Sequence, residues 1–174
     1  MTSSEHHNLA FNVKAPDSTL LRSAWRRFAA TVCIVAVTDD DGQILATTVS
    51  AVSSICFDPP TLLVCLNRSG AITPALATAS AFSVNVLGED QAALATLCAG
   101  GAPHEERARH FEPSSPPYLA PRLPGAPLCF VCQPVKLIEL GTHVAVFGEI
   151  TDLQLGEATA PLLYLGGTYG SFCA

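Results

Sequence analysis

The sequence predicts a mainly β domain, a barrel carrying peripheral helices. Several stretches of strand length are rich in β-branched and apolar residues: 31–38, 43–54, 61–66, 81–87, 128–139 and 143–154. Hairpin and turn signals punctuate them, among them Asp41-Gly42, the run Asn67-Arg68-Ser69-Gly70, and Gly141-Thr142. Helical periodicity is sparse, and no internal repeat is visible. Strands in succession, joined by tight turns, favour a closed or nearly closed β architecture. At 174 residues the chain suits one domain with a sizeable core, predicted over 17–174.

Each element has its own reason. Residues 1–16 are polar and aperiodic and predict a mobile arm; the adjacent His6 and His7 there carry no metal-site spacing. A helix is expected over 17–30, with Asp17 or Ser18 as N-cap. Its apolar stripe is Leu21, Ala24, Trp25 and Phe28, with Arg22, Arg26 and Arg27 mostly off it. A strand follows over 31–38, then a turn through Asp39-Asp40-Asp41-Gly42, then a returning strand over 43–54. The three aspartates lack the ligand spacing of a calcium loop and read as a solvated turn. Asp58-Pro59-Pro60 breaks the ladder ahead of a short buried strand over 61–66. A helix over 71–80 tolerates Pro74 near its start. A strand over 81–87 leads to a helix over 91–98, capped by Asp90 and ended by Gly100-Gly101. A short charged helix is expected over 104–111. Six prolines among the fifteen residues 113–127 exclude a regular ladder there. Two long antiparallel strands, 128–139 and 143–154, precede a Gly-rich tail.

Composition excludes several function classes. The net charge is −6 and the basic residues form no cluster, which argues against nucleic-acid binding. No apolar run reaches membrane-spanning length. The N-terminus shows no basic-then-apolar leader, so a reducing, cytoplasmic location is expected. The seven cysteines, an odd number, then read as free, buried thiols. Only 14% of residues are charged and mean hydropathy is +0.36, which predicts surface covered by self-association.

Dinucleotide, phosphate-loop, nucleophile-elbow and zincin signatures are all missing from the sequence. Cys129-Phe130-Val131-Cys132 is a lone C-x-x-C on an expected strand, where its sulfurs would point to opposite faces; no metal site is expected. The unusual stretch is 46–60, ATTVSAVSSICFDPP. Both of its period-2 faces carry hydroxyls, from Thr47, Thr48, Ser50, Ser53 and Ser54. Buried hydroxyls need partners, so such a stripe either bonds backbone or lines a polar ligand. Further polar islands are Asn67-Arg68-Ser69, His143 after a glycine turn, and Tyr169 in the tail. Together they suit a ligand with a flat ring, a polyol and a phosphate.

The order of these motifs resembles a known family. ATTVSAVSSICFDPPTLLVCLNRS is similar to the flavin-binding strand, turn and strand of the flavin reductase-like proteins, whose fold is an FMN-binding split barrel. AFSVNVL, GTHVAVFGEI and PLLYLGGTYG resemble the segments that follow in that family, so the likeness spans about residues 23–170. The resemblance implies a homodimer of split β-barrels that uses NADH or NADPH to reduce FMN or FAD, by hydride transfer from nicotinamide C4 to flavin N5, and supplies reduced flavin to a partner monooxygenase. It implies that Thr47, Thr48, Val49, Ser50 and Ala51 lie along the flavin, helped by Ser53 and Ser54. Asn67, Arg68 and Ser69 would serve the polyol and phosphate, and His143 and Tyr169 would face the nicotinamide, His143 as the catalytic residue. The main-chain N–H groups of 49–51 are expected to face the charge that gathers near flavin N1 and the C2 oxygen on reduction. The family's Gly-Asp-His reads Gly141-Thr142-His143 here, leaving the imidazole a neutral hydroxyl neighbour instead of a carboxylate. The alternative reading is a flavin-binding barrel of the same fold that does not reduce free flavin, acting as sensor, store or oxidase.

Overall fold

A computed structural model describes residues 17–113 and 120–172; the arm expected over 1–16 lies outside the described residues. Among these residues, ten strands form two sheets, and four short helices decorate them.

The first helix, α1 (Ser18–Trp25), is N-capped by Asp17, whose carboxylate accepts a hydrogen bond from Thr19 N at 3.2 Å. It ends five residues before the expected 30, and none of its residues is buried. Its apolar stripe therefore does not reach this chain's core. A two-residue strand, β1 (Ala30–Thr31), follows, then the hairpin of β2 (Cys33–Thr38) and β3 (Ile44–Val49). The aspartate turn works as expected. Asp39 Oδ1 accepts from Asp41 N at 3.1 Å and Gln43 N at 2.8 Å, and Gly42 takes φ +78°.

The expected single strand over 43–54 is two strands. After Val49 the chain leaves the ladder at Ser50-Ala51 and resumes as β4 (Val52–Phe57). The expected break at Pro59-Pro60 is instead a tight hairpin, and β5 (Pro60–Asn67) pairs back along β4. Three more strands complete the larger sheet: β6 (Phe82–Val86), β7 (Leu128–Leu140) and β8 (His143–Leu155). Its order is β3-β2-β6-β7-β8-β5-β4, with every described pairing antiparallel.

That order forces curvature. Strands β3 and β4 are the two edges, yet only Ser50 and Ala51 separate them in sequence. Three peptide steps span at most about 11 Å, whereas a flat seven-stranded sheet is about 29 Å across. The sheet must roll until its edges face each other without pairing. This is a split barrel. Near the seam, Cys65 N donates to Ala51 O at 3.0 Å.

Two cores follow from the roll. Val35, Val37, Leu45, Val64, Phe82 and Val146 point into the barrel, and α2 (Ile72–Thr78) adds Ile72 and Leu76. On the other face of β2, Ile34 and Ala36, with Val32 just before the strand, pack against Leu87, Ala95, Cys98, Phe111 and Leu162. Because β2 is covered on both faces, it reads as an unbroken apolar run. Gly148 of β8 leaves room for Phe82; a Cβ there would lie 2.5 Å from Phe82 Cζ.

The polar residues of AFSVNVL tie the proline-rich loop to the sheet. Asn85, fully buried, donates to Ile34 O at 3.1 Å and Ser83 Oγ at 2.9 Å, and accepts from Leu123 N at 3.0 Å. Ser83 Oγ donates to Pro121 O. A buried amide so satisfied fixes loop position.

The expected helix over 91–98 is divided. A 3₁₀ turn (Glu89–Gln91) leads into α3 (Ala92–Thr96), which continues as a π turn (Leu97–Gly101) holding Gly100 at φ +120°. Asp90 sits inside the first turn instead of capping it. The cap is Gly88, whose N–H donates to Gln91 Oε1 at 2.9 Å. Then α4 (His104–Ala108) lies against β3. The tail folds as β9 (Leu162–Leu165) and β10 (Thr168–Ser171) around Gly166-Gly167, and with β1 makes the smaller sheet.

Candidate functional site

The seam between the barrel's edges opens as a cleft of about 340 Å³, lined by Thr47, Thr48, Val49, Ser50 and Ala51 on one side. Cys65, Leu66, Asn67, Gly70 and Ile72 form the other side, with Ala99 and His143 at its margins. Topology explains the grouping. Asn67 ends β5 and pairs across the ladder with His143, the first residue of β8. Ser50 and Ala51 fall outside both neighbouring ladders, which end at Val49 and begin at Val52. Ala51 O accepts from Cys65 N of β5, while the Ser50 and Ala51 N–H groups make no backbone hydrogen bond among the described residues.

The hydroxyl stripe divides into different duties. Thr48 Oγ1 donates to Ala95 O in α3 at 2.7 Å, so it braces the strand from behind. Arg107 of α4 adds a second brace, donating from Nε to Ala102 O at 2.8 Å and from Nη1 to Ala46 O at 3.3 Å. Alternation on the strand turns Thr47 the opposite way from Thr48, and Thr47 has no hydrogen-bond partner among the described residues. The structure does not bring Ser53 and Ser54 to the cleft. Both are exposed on β4, and Ser53 Oγ donates to Ser54 O at 3.3 Å.

The turn after β5 is an Asx turn. Asn67 Oδ1 accepts from Ser69 N at 3.0 Å and Ser69 Oγ at 2.9 Å, leaving the Asn67 amide NH₂ as the group able to donate. Arg68 and Ser69 continue this turn outside the cleft wall. Arg68 lies 3.6 Å from Glu139, and both side chains are more than half exposed, so the pair is weak. His143 Nδ1 lies 2.8 Å from Thr142 Oγ1. The threonine thus reaches the ring and can set its orientation, though with a neutral group. Tyr169 lies outside the cleft, packed against the outer core and edge-on to Tyr164 with ring centroids 5.4 Å apart.

A second, larger cleft of about 700 Å³ adjoins the first and shares Ser50, Ala51 and His143 with it. Its remaining wall is Arg22, Trp25, Arg26 and Phe28 of α1 and its C-terminal end, with Ala30, Tyr164 and Gly166. Sequence reasoning missed this role because an i, i+3, i+4 stripe looks the same whether it faces a core or a cleft. It also missed Ala99, which the π turn carries to the margin; the double glycine at 100–101 was the available signal.

One free thiol, the half-buried Cys65, lines the cleft, and the C-x-x-C pair lies elsewhere. Cys132 packs in the barrel core and Cys129 with Val131 on the other face, so the C-x-x-C sulfurs diverge. Burial pushes the Cys33 and Cys132 thiols up to about 12. It pushes Cys98 and Cys129 to about 11, against the nearby Arg107 and Arg122 charges that favour the thiolate. Among the described residues no helix is long and apolar enough to cross a membrane.

Comparison with known proteins shows the family and the fold. The flavin reductase like domain matches residues 25–172. The chain belongs to that family. It is similar to the FMN reductase (NADH) RutF of Ancylobacter novellus, 38% identical over 148 residues, covering 85% of this chain and 81% of that protein. It is also similar to the reductase component of the FADH(2)-dependent resorcinol hydroxylase of a Rhizobium species, 36% identical over 149 residues, covering 85% and 83%. Among solved structures, a flavin reductase domain protein from an Arthrobacter species superposes with a TM-score of 0.83 at 27% identity, covering 91% of this chain and 97% of that one. The expected split-barrel fold and family are both borne out.

Proposed function

We propose that this flavin reductase family member is an NAD(P)H:flavin oxidoreductase that binds FMN or FAD in the seam cleft and delivers reduced flavin to a separate monooxygenase. The observation that carries the reading is the seam itself. It combines a cleft between the end of β3 and the end of β5, small side chains on one wall, and Ser50 and Ala51 N–H groups that make no backbone hydrogen bond among the described residues. A flavin fits such a place because its ring needs a narrow slot and its edge needs donors.

When bound, the flavin and nicotinamide supply the redox chemistry. The protein's part is to position them. The N–H groups of Ser50 and Ala51 and the Thr47 hydroxyl are the donors for the ring edge and polyol. The Asn67 amide serves the polyol, and Arg68 and Ser69, one step further along the turn, serve the phosphate. His143 is held by Thr142 where the two clefts meet, which is where a nicotinamide must lie to reach a ring in the first cleft. Tyr169 acts through Tyr164, whose face borders the second cleft.

The same reading makes the protein a cytoplasmic homodimer. Ile55 and Phe57 on the edge strand β4, and Ile138 and Leu140 near the tip of the β7–β8 hairpin, are exposed apolar side chains on the half of the sheet that ends at β4. An edge strand of that character is unstable to association unless a second copy covers it.

The test is to mix purified protein with FMN or FAD and NADH and follow absorbance at the nicotinamide band. Steady consumption that requires free flavin supports the reductase. A yellow protein that leaves NADH untouched supports the binder of the same fold.

A further inference from the structure

We infer that Thr142 is a positioning residue that fixes the tautomer of His143: its hydroxyl donates to Nδ1, so the ring presents Nε2–H, a hydrogen-bond donor, where the two clefts meet. This rests on the reductase reading above and adds to it a residue and the place of one proton.

Three observations carry it. The first is the contact. Thr142 Oγ1 lies 2.8 Å from His143 Nδ1. A neutral imidazole has one N–H and one bare nitrogen, and the bond made by one nitrogen decides where the proton sits. The separation is nearer the about 2.7–2.8 Å usual for hydroxyl donors than the about 2.9–3.0 Å usual for N–H donors. Nε2 makes no hydrogen bond among the described residues, so it is the edge left for a ligand.

The second is how the ring's carrier is held. Gly141 and Thr142 form the two-residue turn between β7 and β8, with Gly141 at φ +59° and His143 paired with Leu140 across it. Thr142 O accepts from Arg68 N at 2.9 Å, and Asn67 pairs with His143 on the other side. The hairpin tip is thereby tied to the end of β5, which keeps the hydroxyl beside the ring.

The third is placement. His143 belongs to both clefts. The nearby charged groups, Arg68 and Glu139, face each other at 3.6 Å, and Thr142 is the ring's described partner. Hydride transfer asks no base of the protein at this point, whereas an acceptor atom on a ligand needs a donor. The threonine makes His143 that donor. An ionised carboxylate at 142 only accepts, so it would draw Nδ1–H towards itself and leave Nε2 bare.

The experiment first reads the proton in the ligand-free protein, by nitrogen-15 histidine NMR at a pH where the imidazole is neutral, with the His143 signals assigned by their loss in His143→Ala. Wild type and Thr142→Ser should show Nε2 protonated, Thr142→Asp should show Nδ1 protonated, and Thr142→Val should show a mixture. Valine is β-branched like threonine and keeps the carbonyl that holds Arg68, so the turn tolerates it. In turnover with NADH and FMN, Thr142→Val should raise the NADH KM about two- to twelvefold, the loss of one hydrogen bond. Thr142→Ser should restore it, and the FMN Kd, read by fluorescence quenching, should stay unchanged in both. In a His143→Ala background Thr142→Val should change nothing further, because its effect passes through the ring. A wild-type ring protonated at Nδ1 overturns the assignment, as does a His143→Ala variant with the wild-type NADH KM, or a Thr142→Val effect that persists without the imidazole. If wild type consumes no NADH with any flavin, the reductase reading fails, while the spectrum of the free protein still decides the tautomer.

Discussion

Thr47 and Thr48 are adjacent, chemically identical and assigned opposite duties, so a paired substitution to valine tests the site at its finest grain. Valine keeps the shape and removes the hydroxyl. In Thr48→Val the Ala95 carbonyl loses a 2.7 Å partner in a part-buried place. Leaving such an acceptor unsatisfied costs about 1–3 kcal/mol. For a domain of this size each kcal/mol lowers Tm by about 2–4 °C, so melting should drop by about 2–12 °C by differential scanning fluorimetry. Thr47 has no described partner, and Thr47→Val should leave Tm nearly unchanged. Thr47 lines the cleft, and losing one hydrogen bond to a ligand weakens binding by about 0.5–1.5 kcal/mol. That corresponds to a two- to twelve-fold rise in the FMN Kd by fluorescence quenching. The reasoning is refuted if the pattern reverses, with Thr48→Val thermally silent and Thr47→Val destabilised without any change in Kd.

Arg107→Ala removes both braces on Ala46 and Ala102 and should raise the FMN Kd severalfold, with partial recovery in Arg107→Lys; an unchanged Kd in both would show that β3 needs no support from α4. Arg68→Ala should weaken FMN more than riboflavin, which lacks the phosphate, when the two are titrated in parallel; equal losses exclude a phosphate role. Gly148→Ala drives a Cβ to 2.5 Å from Phe82 Cζ and 2.9 Å from Cys132 Cβ, an overpacking of about 1–3 kcal/mol that urea unfolding will read. Stability should also fall at alkaline pH. The folded thiols of Cys33, Cys132, Cys98 and Cys129 titrate near 11–12 against 9.0 for a free thiol, so the folded state holds more protons above pH 9. Their contribution is complete below pH 9 and is lost as pH climbs toward 11–12, at about 1.4 kcal/mol per pH unit for each thiol. Cys33→Val should flatten the slope by one such increment; an unaltered slope means that this thiol is not protected.

Much of the barrel was legible because its signals are local. The alternation in β7 and β8, the Asp-Gly turn before β3 and the Asx turn at Asn67 each declare themselves within a few residues. The break at Ser50-Ala51 was not legible. Thr47 through Ser54 keeps the same small, β-forming character across it, and what stops the ladder is the distant order of strands that makes β3 and β4 opposite edges. The same limit applies to side-chain duty. Nothing in the sequence separates Thr48, which meets the Ala95 carbonyl 47 residues away, from Thr47, which does not. Likewise α1 announces its amphipathic stripe but not the cleft that the stripe borders, because Tyr164 and Gly166 arrive from the far end of the chain. Asn85 is a further case: a polar residue in an apolar strand, it ties the proline-rich loop through a residue 38 positions away.

The central claim is that a flavin ring occupies the seam between β3 and β4. Amide hydrogen exchange with and without FMN, resolved to short peptides, measures this directly. Binding should slow exchange at Thr47–Ala51 and around Cys65–Asn67 while the outer strands β9 and β10 keep their rates. Protection confined to another surface, with the seam amides exchanging as fast as in the free protein, would contradict it.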